Sequence, residues 1–135
     1  MRGMSGTTQL PRHTDADVLA TRRPRAVRYR GPMSKISLIA KLTAADGKEA
    51  ELEQVLAAVV AAADEEDGLE VYSAHAAKDE PGVYYFFEMY RDDEALAVHG
   101  KGDGMRAAMG AFAGLLGGRP EIITMTPVAA KGLDI

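Results

Sequence analysis

The reading turns on one stretch, GLEVYSAHAAKDEPGVYYFFEMYRDDEALAVH, residues 68–99. Two β-type runs, Glu70–Lys78 and Val83–Arg91, flank Asp79–Gly82, where Pro81-Gly82 is a strong turn dipeptide. The spacing predicts a hairpin. Its second arm, VYYFFEMY, is rich in aromatic residues that suit a pleated, half-buried surface, and is expected at the centre of a sheet. The chain then changes period. Asp92 is placed to cap a short helix over Glu94–His99, because its carboxylate can accept from free backbone N–H groups there.

Upstream, Ile36, Leu38, Ala40 and Leu42 alternate with Lys35, Ser37 and Lys41, the signature of a strand with one buried face. Asp46-Gly47 turns the chain. Leu52, Val55, Leu56, Val59 and Ala63 then recur at helical spacing as one apolar stripe. The acidic run Asp64–Asp67 lies at the unfavourable end of that helix dipole and is read as solvated surface, with Gly68 as the stop. Downstream, glycines at 100, 102 and 104 interrupt the chain. A further helical stripe follows through Met105, Ala108, Met109, Phe112, Leu115 and Leu116. Ile122–Thr126 reads as a last strand, closed by Pro127. The order is β-α-β-β-α-β, an α+β, ferredoxin-like arrangement with an antiparallel sheet. Helices cover one face of such a sheet; a second copy is the usual cover for the other, so a homodimer is expected.

Residues 34–135 form this domain, and residues 1–33 precede it with neither periodicity. The first segment carries seven arginines against two aspartates, a net +5; the remainder carries nine Lys/Arg against eighteen Asp/Glu, a net −9. The segment is read as a disordered basic extension, or as the product of a start assigned ahead of Met33. An acidic body is a poor ligand for nucleic acid, whose phosphates need clustered positive charge. No apolar run reaches the ~20 residues of a membrane span. The 135 residues include no cysteine, which excludes disulfides, thiolate metal sites and thiol nucleophiles, and fits a cytoplasmic setting. The glycines at 100–104 do not form a phosphate loop, since no strand immediately precedes them and G-x-G-x-x-G is absent.

The residues Gly68, Tyr72, Glu88, Tyr90, Asp92, Glu94-Ala95 and His99, spaced along GLEVY and YFFEMYRDDEALAVH, resemble the antibiotic biosynthesis monooxygenase family. The likeness spans Ser34 to Val128. It implies a dimeric α/β barrel. It also implies oxidation of a small, electron-rich, hydroquinone-like aromatic by molecular oxygen, with no flavin, metal or other cofactor. Such chemistry asks the protein for a base poised near neutral pH and a dry pocket.

His99 is the candidate base, on the same helix face as Ala95 and Leu96; the plain alternative is a buried histidine satisfied by hydrogen bonds. Glu88 and Tyr72, on neighbouring strands, complete the candidate catalytic set. Glu88 shares an aromatic face with Tyr84, Phe86 and Tyr90, and if buried it needs a partner: His99, a tyrosine, or an interfacial arginine. Tyr84, Phe86 and Tyr90 could stack a flat substrate. Met105, Met109 and Phe112 form an adaptable apolar wall, or simply core. His75 faces the other side of its strand. Haem degradation is the runner-up within the fold. Its relatives use an asparagine, a tryptophan and a histidine, whereas this chain has no asparagine or tryptophan, and Met109 falls near that histidine's place. A non-catalytic dimeric binding or stress-response module is the second alternative.

Overall fold

Leu38, Ala40 and Leu42 lie cross-strand from Glu88, Phe86 and Tyr84, so one face of the central strand pair gathers the largest apolar side chains of the domain. The computed structural model describes residues 34–135; the expectation for residues 1–33 lies outside the described residues. Four strands, β1 (Ile36–Thr43), β2 (Leu69–Ala76), β3 (Val83–Tyr90) and β4 (Glu121–Met125), form one antiparallel sheet in the order β2-β3-β1-β4. Three helices join them: α1 (Glu49–Ala62), α2 (Asp93–Lys101) and α3 (Asp103–Phe112). This is the ferredoxin-like α+β fold expected from the periodicities, with the aromatic strand β3 central.

The core fills the space between that sheet face and the helices. Leu52 and Leu56 of α1, Ala95 of α2, and Ala108 and Phe112 of α3 meet Leu38, Ala40, Leu42, Tyr84, Phe86 and Tyr90. Each large apolar side chain so buried is worth about 1.5–3 kcal/mol relative to exposure. The opposite face is covered unevenly: Met89 and Ser37 are buried, Ile39, Val71, Phe87 and Met125 are half-buried, and Ile123 is 60% exposed. A β-bulge at Leu69/Val71 opens β2, and Glu70 beside it pairs with Lys35 at 2.8 Å.

Two boundaries differ from the sequence expectation. The glycine break is confined to Gly102, since Gly100 lies inside α2. A Cβ at Gly102 would come within 2.9 Å of the Val98 carbonyl oxygen, so only glycine lets α3 start directly behind α2. The later helix stops at Phe112 rather than running to Leu116. Gly114, at φ +77°, turns the chain, and Leu115 and Leu116 extend instead beside Ala44. Backbone bonds of 2.8 Å from Ala45 to Leu115 and from Gly117 to Thr43 hold them there.

Candidate functional site

Helix α2 is locked in place from both sides. Asp92 accepts from the Ala95 N–H at 2.8 Å, which caps the helix and holds the Asp92 carboxyl below its usual range, with Arg91 assisting. Beneath it, Gly68 offers bare backbone to Ala95, where a side chain would collide. One turn beyond Ala95, on the same face, His99 points inward and is 6% exposed.

The turn that follows α1 supplies what His99 meets. A 3₁₀ turn, Ala63–Glu65, leads into Glu66, whose backbone donates to Ala63 and accepts from Leu69, both at 3.0 Å. The Glu66 carboxylate reaches His99 Nδ1 at 2.7 Å. A carboxylate only accepts, so in the uncharged imidazole Nδ1 carries the proton and donates. Nε2 is then left as a lone-pair acceptor. It is buried and has no hydrogen-bond partner in the protein.

Two tyrosines flank the imidazole ring. The Tyr72 ring meets the imidazole edge-on, with centroids 5.4 Å apart, and stacks on Phe86 at 4.7 Å. The Tyr90 ring lies 5.5 Å from the imidazole, and its hydroxyl donates to the buried Glu88 carboxylate. Burial pushes the Glu88 carboxyl above the usual carboxylate range, against the opposing pull of the Tyr90 bond and of His99. Burial, reinforced by Glu88 and Glu66, pushes the Tyr72 hydroxyl up as well. Tyr90 rises through burial and its bond to Glu88. Both hydroxyls therefore stay protonated around neutral pH, and that of Tyr90 donates to Glu88.

Glu66, Tyr72 and His99 border a cavity of about 250 Å³. Val55, Ala58, Val59 and Ala62 of α1 form one wall, Met105 and Ala108 of α3 another, and Tyr72, Glu66 and His99 form the polar end. Small side chains create the space: alanines on both helices, and Gly104 at the start of α3. A wider, more open groove of about 730 Å³ runs along the other side of α1, beside edge strand β2, and Tyr72 borders both. Among the described residues, no cluster of three His, Cys, Asp or Glu side chains is arranged to hold a metal ion.

The sequence candidates fall into distinct places. His99, Tyr72 and Met105 line the cavity. Glu88 and Tyr90 stand behind, buried and bonded to each other, and Phe86 backs Tyr72. Phe112 is core. Tyr84 lies in the other groove, where its hydroxyl donates to Glu53 at 2.8 Å; burial and that bond push it up to about 12. Met109 is 51% exposed, past the edge of the buried face that centres on Ala108 and Phe112. His75, on the opposite sheet face, bonds Ser73 at 2.9 Å.

Glu66 is the correction. The run Asp64–Asp67 was expected as solvated surface, which holds for Asp64, Glu65 and Asp67, all exposed. Glu66 turns inward because Gly68, two residues on, seats this turn against α2. That spacing before a glycine was the available signal. The alanines of α1 carry no such signal, since in sequence they look like ordinary helix formers.

A four-stranded ferredoxin-like sheet with a histidine–carboxylate pair at the end of an apolar cavity defines the class: a small α+β domain with a site between its helices and its sheet. The chain belongs to the antibiotic biosynthesis monooxygenase family, whose model matches residues 35–111. The fold is similar to that of a candidate antibiotic biosynthesis monooxygenase from Caulobacter crescentus, with 32% identity and a TM-score of 0.68 over 73% of this chain and 93% of that one. A protein from Pseudomonas aeruginosa is 29% identical, with a TM-score of 0.66 over 74% of this chain and all of that one. A protein of unknown function from Nitrosomonas europaea is 30% identical, with a TM-score of 0.67 over 77% and 99%. No curated protein matches the chain. Among the described residues, no helix is long and apolar enough to cross a membrane.

Proposed function

We propose that this chain is a cofactor-independent monooxygenase that oxidises a small, hydroquinone-like aromatic with molecular oxygen, working as a homodimer. The observation that carries the reading is His99, which lines the polar end of an apolar cavity, is held through Nδ1 by Glu66, and keeps a buried Nε2 without a partner. A phenol hydroxyl placed there gives its proton to Nε2, and the imidazolium that forms is stabilised by the Glu66 carboxylate. The ring anion transfers one electron to oxygen, and the radical pair joins as a ring peroxide. Cleavage of its O–O bond leaves one oxygen on the ring as a hydroxyquinone and releases the other as water. The reaction consumes one hydroquinone and one O₂. Tyr72, held protonated and close to the imidazole, supplies a donor for the developing oxygen charge. Tyr90, Glu88 and Phe86 hold the wall, and Met105 lines the ring site.

Oxygen uptake with a panel of hydroquinones, corrected for spontaneous oxidation, tests this against His99→Ala. The variant is expected to lose about 10²-fold or more of the enzymatic rate, the usual range for removing a general base. Uptake equal to buffer for every substrate, or an unchanged variant, refutes it. The homodimer rests on the apolar sheet face of Ile39, Val71, Phe87 and Ile123. A monomeric mass in solution at micromolar concentration rejects it.

A further inference from the structure

We propose, building on that reading of the cavity, that the site accepts uncharged aromatic rings and rejects anionic ones, and that Glu66 enforces the charge selection. Two observations carry this. First, the cavity holds a carboxylate and no cation: among the described residues, no Lys or Arg lines it. The cations near α2 and α3 point elsewhere. Arg106 is bonded to Asp103 on the exposed side of α3, and Arg91 lies beside Asp92. Second, Glu66 is bonded to His99 through one oxygen and itself borders the cavity, with a side-chain exposure of 29%. Its other oxygen faces Gly104, where a Cβ would sit 3.7 Å away. The volume of about 250 Å³ leaves room for a substituted ring, since a dry aliphatic cavity of about 150 Å³ holds benzene.

The chemistry separates neutral from anionic ligands. A neutral phenol gives its proton to His99 Nε2, and its anion then faces an imidazolium backed by Glu66: two opposite charges in contact. A ring that arrives with a carboxylate, sulfonate or phosphate brings a negative charge that no proton transfer in the site removes. It meets the like charge of Glu66 at the polar end of the cavity, a repulsion that a neutral ring does not feel. Glu66 is thus a positioning residue for His99 and a specificity residue for the substrate.

The test is binding without turnover, by ligand-observed NMR on the full chain under anaerobic conditions. Hydroquinone and 1,4-naphthalenediol are expected to bind at least about tenfold more tightly than 2,5-dihydroxybenzoate and 2,5-dihydroxybenzenesulfonate, the screened repulsion of two charges several Å apart. Glu66→Gln should shrink that ratio to within about twofold. Glu66→Asp, which keeps the charge but retracts it from His99, should preserve the ratio while lowering turnover. Equal binding of charged and neutral rings overturns the inference, as does an unchanged ratio in Glu66→Gln or the absence of binding by any ring. Should the neutral rings bind selectively while oxygen uptake is absent, the oxidase reading fails and the selectivity stands.

Discussion

Replacing Gly68 by alanine should both destabilise the domain and disconnect its histidine. The new Cβ would stand 2.5 Å from Ala95 Cβ and 3.4 Å from Ala95 Cα. Carbon atoms settle at about 3.5–4.0 Å, so α2 must retreat by roughly 1 Å. Overpacking of this kind costs about 1–3 kcal/mol. At about 4–8 °C per kcal/mol for a domain near this size, Tm should fall by roughly 5–20 °C. His99 moves with α2, while Glu66 stays with the turn, so their 2.7 Å bond stretches past the ~3.2 Å limit of a hydrogen bond. Thermal unfolding measures the first effect, and the chemical shift of the His99 Nδ1 proton measures the second. A cycle with Ala95→Gly isolates the cause. That single change costs about 1 kcal/mol of helix propensity, but in the double variant it removes the colliding carbon. The two changes should couple favourably by about 1–2 kcal/mol. A Gly68→Ala protein as stable as the wild type, or a double variant that simply adds both losses, refutes the close-packing argument.

Glu88→Gln should keep an acceptor for Tyr90 and flatten the dependence of stability on pH. Because burial raises the folded carboxyl, its stabilising contribution is complete below the unfolded value of about 4.3 and is lost as pH climbs through the raised one. The variant should therefore gain on the wild type from acid toward neutral pH in urea melts; parallel profiles would contradict the buried-carboxylate reading. Asp92→Ala should lower Tm at neutral pH and speed amide exchange at Ala95. Its folded carboxyl is held low, so the contribution is present above the ordinary carboxylate range and disappears as pH falls through the depressed value. A Tm gap that stays constant into acid would show that the cap bond is not its source.

Much of the fold was legible because its signals are local. Alternation in 35–42 and 83–91, helical spacing in 52–63 and the turns at Asp46-Gly47 and Pro81-Gly82 each lie within a few residues, where backbone sterics and side-chain direction act. The Asp92 cap was readable for the same reason. The end of α3 was not, because what stops it is a contact with Ala44, about 70 positions earlier in the chain. Met105 and Met109 share a face by spacing, yet only the first reaches the cavity, since the packing of α3 against α1 decides where its buried face is centred.

The candidate site divides along the same line. The sequence by itself determined that a histidine would face inward from α2, since it sits one turn from Ala95, and that Tyr72 and Glu88 would lie on adjacent strands. Tertiary structure alone decided which carboxylate holds that histidine. Glu88, the candidate orienter, is engaged by Tyr90; Glu66, 33 residues away in sequence, takes the role. An acidic side chain looks the same in a string of four whether it points to water or inward. Its environment is set by the Gly68–Ala95 approach, a contact that exists only once α2 has docked on the turn ahead of β2.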